Sequence, residues 1–187
     1  LGLLILVDQI SVNKRYLNED DFVSARKVEK PFTASEADKL ILADKSHFRV
    51  ANFSTNLMED GATYYFHQSI GGYHAAKMRR YQELFEYQIA KQNMQVLNML
   101  NTKYIIGADS LGSPIAQVNP NALGNAWFVK NIQWANNADD ALTSIEKFDP
   151  KNTAILEVQD KSILQNFAPD SMSVGVIYLK DYKPNHL

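Results

Sequence analysis

The clearest order of apolar and polar positions lies between Thr63 and Ile106. After Gly71-Gly72, the residues Tyr81, Leu84, Phe85 and Ile89 recur at the three-and-four spacing that lines one face of a helix. The spacing predicts a helix from Tyr73 through several turns, with that face buried and the opposite face solvated. Asn93 and the polar residues before it predict a break, and Met94, Leu97 and Leu100 mark a second, shorter helix. Thr102 to Ala108 reads as a strand. Its Tyr104, Ile105 and Ile106 are apolar without alternation, the pattern of a strand covered on both faces.

On either side of this stretch the pattern is weaker. Thr33 and Glu36 stand at capping-box spacing and predict a helix from about Ser35 to Asp44 that buries Ala37, Leu40 and Ile41. Phe48 to Ser54 alternates as a strand, and Glu59-Asp60-Gly61 is a turn. Asp109 to Gly124, rich in Gly, Pro, Ser and Asn, predicts a long loop. Ala126 to Ile132 predicts a strand; Asn136 or Asn137 then caps a helix burying Ala141, Leu142, Ile145 and Phe148, which Asp149-Pro150 stops. Thr153 to Val158 and Ser173 to Tyr182 read as further strands. Helices and strands are interspersed without a strict βαβ repeat, so the expected fold class is α+β, a mixed α/β sandwich with one mixed sheet packed by helices.

Composition narrows the function classes. A length of 187 residues suits one domain with a good core, and 45% hydrophobic with 21% charged residues fits a body that folds in water. A net charge of −2 gives no basic footprint for nucleic acid. The absence of cysteine removes disulfides, thiolate nucleophiles and cysteine-ligated zinc. The opening run LGLLILV is far short of the roughly twenty residues that cross a bilayer as a helix. By pattern alone it reads as a buried opening strand. Asp8 to Val28 reads as a solvated loop, with Lys14-Arg15-Tyr16 suited to lipid headgroups.

The candidate chemistry centres on the Gly-Gly turn. Gly71 and Gly72 leading into a helix with Lys77, Arg79 and Arg80 suggest an anion site, because free amides at a helix start and nearby cations attract phosphate. A tight turn followed by an exposed cationic helix accounts for the same residues, and Arg79 and Glu83 stand at salt-bridge spacing. His67 and His74 flank the turn, but with no carboxylate at matching spacing they make an incomplete metal shell, so no metal and no cofactor is expected. The tyrosines at 64, 65, 73, 81 and 87 serve packing or a face that stacks on a sugar. Asn52-Phe53-Ser54 is a formal glycosylation sequon inside a predicted strand. Glu59-Asp60 and Asp139-Asp140 have local explanations as a turn and a helix start, and no GxSxG nucleophile motif occurs.

The order GGYHAAKMRRYQELFEYQI, then VLNMLNTKYII, NPNALGNAWFV (119 to 129), the FDP of 148 to 150 and the final LKDYKPNHL resembles the extracytoplasmic segment of YfhO-like bacterial membrane proteins of Bacteroides type. The resemblance extends from VDQISVNKRYLN (7 to 18) to the last residue. It implies that residues 1–7 end a transmembrane helix, that 1–28 form a membrane-proximal lead-in, and that 29–187 form a soluble domain followed by a further β-rich region. It implies a periplasmic location on the bacterial inner membrane, as part of an integral membrane protein similar to the GT-C class of glycosyltransferases, which use polyprenyl-phosphate sugar donors. The catalytic carboxylate of that class lies in an early outer loop, so the resemblance implies a non-catalytic domain that roofs a membrane-embedded site. Its partners are then the membrane part of its own polypeptide and a lipid-linked sugar or glycan acceptor, with His67, Gly71, Gly72, Tyr73, His74, Lys77, Arg79 and Arg80 as substrate-binding residues. The competing class is a cell-envelope protein- or glycan-binding module without transfer chemistry. Asp109-Ser110-Leu111 and Asp170-Ser171-Met172 resemble the short O-glycosylation signal of such bacteria.

Overall fold

A computed structural model describes residues 2–164 and 175–182 and divides the chain into two compact units, Leu1–Thr33 and Ala34–Leu187. In the first unit the opening residues are helical: α1 spans Gly2–Tyr16 and is exposed along its length. The buried strand that the LGLLILV pattern predicts is therefore absent, as is the loop expected from Asp8 to Tyr16. No helix among the described residues is long and apolar enough to cross a membrane. Asn18 and Asp21 close a capping box on the turn Glu19–Asp21, and α2 follows at Ala25–Glu29.

The second unit is α+β. α3 (Glu36–Ala43) starts on a capping box, but its members are Ser35 and Asp38 rather than Thr33 and Glu36. Asp38 Oδ2 accepts from Ser35 N at 2.8 Å while its Oδ1 meets His67 Nε2 at 2.8 Å, so a distant segment fixes which residue caps. Of the predicted apolar face, Ala37 and Ile41 are buried and Leu40 is exposed.

β1 (Arg49–Asn52) runs parallel to β2 (Thr102–Ala108), pairing Val50 with Tyr104, Ala51 with Ile105 and Asn52 with Ile106. Its other edge bonds to the segment 68–70, with Val50 N donating to Gln68 O and Ile70 N to Val50 O. Parallel pairing requires a long crossover. The crossover comprises α4 (Gly61–Phe66), α5 (Arg79–Leu84), a π-helical turn at Phe85–Ile89, and α6 (Met94–Met99), which begins on the Asn93 cap. Alternation on β1 and β2 separates two cores. Val50, Tyr104 and Ile106 pack with Ala37, Ile41 and Phe48, whereas Ala51 packs with Leu57, Ile70, Ile89, Val96 and Leu97, and Ile105 joins that side.

The predicted loop at 109–124 contains a five-residue strand. β3 (Pro114–Val118) returns antiparallel along β2 from a turn whose tip carries Ser110 and Leu111, both exposed. Pro114 opens an edge strand, where a missing N–H costs no ladder bond, and the mostly exposed side chains of β3 leave little apolar signal to read. A second sheet pairs β4 (Asn131–Ala135) with β5 (Thr153–Glu157) in parallel, joined through α7 (Ala138–Ser144), which Asn137 caps. β4 thus begins five residues later than the predicted Ala126. In the predicted last strand, 175–182 carry no strand, and Ser173 and Val174 lie outside the described residues, as does Asp170-Ser171-Met172.

Buried polar side chains tie these layers together. Asn52 Nδ2 donates to Thr63 Oγ1 at 2.8 Å, and Asp60, the α4 cap, accepts from Ala62 N, Thr63 N and the Thr63 hydroxyl. The sequon asparagine is therefore an internal strut. Gln88 Nε2 donates to Leu142 O at 3.2 Å and Asn93 Nδ2 to Glu146 O at 3.3 Å, joining the crossover to α7 and the turn after it.

Three carboxylates make stability pH-dependent. Burial works against ionised Asp38 and Asp60, yet hydrogen bonds from Ser35 and His67, and from Thr63 and Thr55, hold both below the ordinary 3.8. Asp44 lies far below it, because Lys103 and Ser46 hydrogen-bond to it. A depressed folded value contributes stability that is complete above the ordinary carboxylate range and is lost as pH falls through the folded values. The urea midpoint should therefore be level from about pH 7 to 5 and fall below about pH 4. Asp44→Asn should lower the midpoint at pH 7 and flatten the acid limb; a wild-type midpoint unchanged at pH 3 would contradict this account.

Candidate glycan-binding cleft

The residues flagged around Gly71-Gly72 do not form one site. The glycine pair is required by packing: a Cβ on Gly71 would stand 2.0 Å from Leu57 O, and Gly72 adopts φ +106°, a backbone that L side chains rarely take. Their amides are also taken. Gly71 N donates to Ser69 Oγ at 3.0 Å and Gly72 N to Leu57 O at 2.7 Å. The helix expected from Tyr73 starts instead at Arg79, after an irregular stretch at 71–78. No free glycine amides therefore stand at that helix start.

The remaining candidate side chains are only partly brought together. Arg79 pairs with Glu83 on its own helix at 2.7 Å, and Arg80 reaches Glu157 of β5 at 2.8 Å. His67 is almost fully buried on Asp38, the carboxylate partner that linear spacing did not reveal. It lines a hollow of about 440 Å³ with His47 and Tyr182, whose rings lie 4.4 Å apart. His74 is exposed, its Nδ1 accepting from Ala76 N at 3.1 Å. Tyr73, His74, Lys77 and Arg79 do share a shallow hollow of about 490 Å³, where Lys77 Nζ rests on Met58 Sδ. No group of three or more potential metal ligands occurs among the described residues. Of the tyrosines, Tyr81 is half-buried and donates its hydroxyl to Ile70 O, and Tyr64, Tyr65 and Tyr87 are exposed.

A larger cleft, about 720 Å³, opens elsewhere. Its walls are the loop 120–130, the turn 149–152 and the outer side of α6, and they bring together Gln95, Asn121, Trp127, Phe128, Lys130 and Asn152. Each wall is held. Asn119, buried, donates through Nδ2 to Asn98 Oδ1 at 2.8 Å and to Thr102 O at 2.9 Å, while its Oδ1 accepts from Asn121 N. Leu123 N bonds to Asn98 O at 3.0 Å, fastening the loop to α6. Trp127 Nε1 donates to Pro150 O at 2.8 Å, and Lys130 N and Asn131 N both donate to Asn152 O at 2.9 Å. The apolar run from Ala126 is not a strand: Trp127, Phe128 and Lys130 line the cleft, and pairing with β5 begins only at Asn131.

The indole is half-buried with its N–H satisfied, and Phe128 beside it is 62% exposed. A fixed aromatic face flanked by amide side chains suits the apolar face and the hydroxyl rim of a sugar ring. Residues 119–129 and 148–150 stand in the sequence as separate motifs, and only the fold joins them. Family models, curated proteins and solved structures contain no match to the chain.

Titration with inorganic phosphate to millimolar concentration should leave the amide resonances of Gly71 and Gly72 unmoved, since both protons are already donated. Gly71→Ala should cost about 1–3 kcal/mol in urea unfolding, the usual penalty for overpacking. A saturable phosphate shift at both glycines, or an unchanged unfolding midpoint in the variant, would contradict the packing role.

Proposed function

We propose that this chain is the non-catalytic extracytoplasmic domain of a membrane-embedded, GT-C-like glycosyltransferase, and that it holds a saccharide of the donor or acceptor in the Trp127 cleft. The cleft carries the proposal. Its walls are built from two of the motifs in which the chain resembles YfhO-like proteins, and it combines Trp127 and Phe128 with Gln95, Asn121 and Asn152. The cleft alone serves a glycan-binding module equally well; the transferase part of the reading rests on the resemblance.

A domain of this kind binds and orients. Trp127 offers a face on which one side of a pyranose stacks, and the amides offer both donors and acceptors to hydroxyl groups. Because the loop and the turn are fastened by backbone bonds before any ligand arrives, little ordering entropy is lost on binding.

With Trp134→Phe, Trp127 becomes the single tryptophan, and its emission reports the cleft directly. Oligosaccharides should shift that emission saturably, and Trp127→Ala, followed by calorimetry, should weaken binding by roughly tenfold. In proteoliposomes with a polyprenyl-phosphate sugar, the full-length protein should transfer sugar and this chain alone should not. Binding without transfer by the full-length protein would leave the glycan-binding module; absence of both would overturn the proposal.

A further inference from the structure

The charge of the same cleft suggests which saccharide it takes. Lys130 and Lys151 both line it, both are exposed, and neither has an ion-pair partner among the described residues. Four cations elsewhere in the chain are ion-paired, Arg79 and Arg80 on glutamates, Lys39 on Glu36 and Lys103 on Asp44; what sets Lys130 and Lys151 apart is that they share a cleft. The one carboxylate in the lining is Asp149, and it is turned onto its own loop. Its Oδ1 accepts from Lys151 N at 3.0 Å and its Oδ2 from Asn152 Nδ2 at 2.6 Å. Two unpaired ammonium groups thus share a cleft with an aromatic face, in a chain whose net charge is −2.

We infer that the cleft selects an acidic saccharide, a sugar bearing a carboxylate or phosphate group, with Trp127 under the ring and Lys130 and Lys151 meeting the anion. The inference rests on the saccharide reading of the cleft and adds the charge of the ligand. Both lysines stand close to the indole along the chain: Lys130 sits where Asn152 O holds its own backbone and that of Asn131, and Lys151 follows Pro150, whose carbonyl is bonded to the indole.

The test uses the full 187-residue chain carrying Trp134→Phe, with tetragalacturonate, the neutral galactotetraose, galactose 1-phosphate and inorganic phosphate as probes. At low salt, tetragalacturonate should bind about tenfold more tightly than galactotetraose, and the ratio should shrink as ionic strength rises. In the Lys130→Gln, Lys151→Gln double variant the ratio should fall towards one, while Lys91→Gln, which removes a lysine lying over the Tyr87 ring, should keep it. Melting curves check that each variant is folded. Preference for galactose 1-phosphate over both oligosaccharides would assign the anion to phosphate, and preference for tetragalacturonate would assign it to carboxylate. Equal affinity for the neutral and acidic tetramers would overturn the charge inference and leave the saccharide reading standing. No binding of any sugar at millimolar concentration would remove both, and inorganic phosphate bound as tightly as the sugars would reduce the cleft to an anion site.

Discussion

The parallel pairing of β1 with β2 is the constraint on which the rest depends. A parallel pair cannot close through a tight turn, so everything from Ser54 to Asn101 must leave one end of the sheet and return to the other. Because β1 is flanked by β2 on one edge and by 68–70 on the other, its backbone is satisfied and both its faces are free to bury side chains. Val50 and Ala51, adjacent in sequence, enter opposite cores. The crossover covers one face and α3 the other.

Burying the pair on both faces creates a second requirement, because polar groups trapped beside it need partners. Asn52, Asn98, Asn119 and Gln88 meet that need by bonding across elements rather than within them. The consequence for function comes from Asn119. By tying α6, β2 and the start of the 120–130 loop together, it places Asn121 and Trp127 on a wall that does not have to be assembled by a ligand. The bond from Trp127 to Pro150 then brings the second sheet's turn against that wall.

The Gly71 to Arg80 segment, the richest in suggestive residue types, shows the opposite economy. Its glycines pack on Leu57 and its arginines pair with Glu83 and Glu157, so only a shallow hollow at Tyr73, His74, Lys77 and Arg79 is left, while the neighbouring His67 is taken by Asp38. The cleft uses plainer residues, amides and two lysines, but leaves them facing a common space. Residue type ranks candidates poorly when partners distant in sequence decide which groups remain free.

Local periodicity determined β2 over Thr102–Ala108, the helix after Asn93, the Asn137-capped α7 and the α+β class, since each depends on nearest neighbours and on caps within a few residues. It also made the Gly-Gly turn legible. Tertiary structure decided what those elements face. In the fold α5 starts at Arg79 rather than Tyr73, and β4 starts at Asn131, where pairing with β5 begins, rather than at Ala126. It also recruited the exposed residues Pro114 to Val118 as an edge strand through backbone bonds that side-chain pattern does not encode. The candidate site belongs to this second class. Its motifs were visible in the chain, but their meeting depends on Asn98, Asn119 and Pro150 making bonds across tens of residues, and no local rule of spacing carries that information.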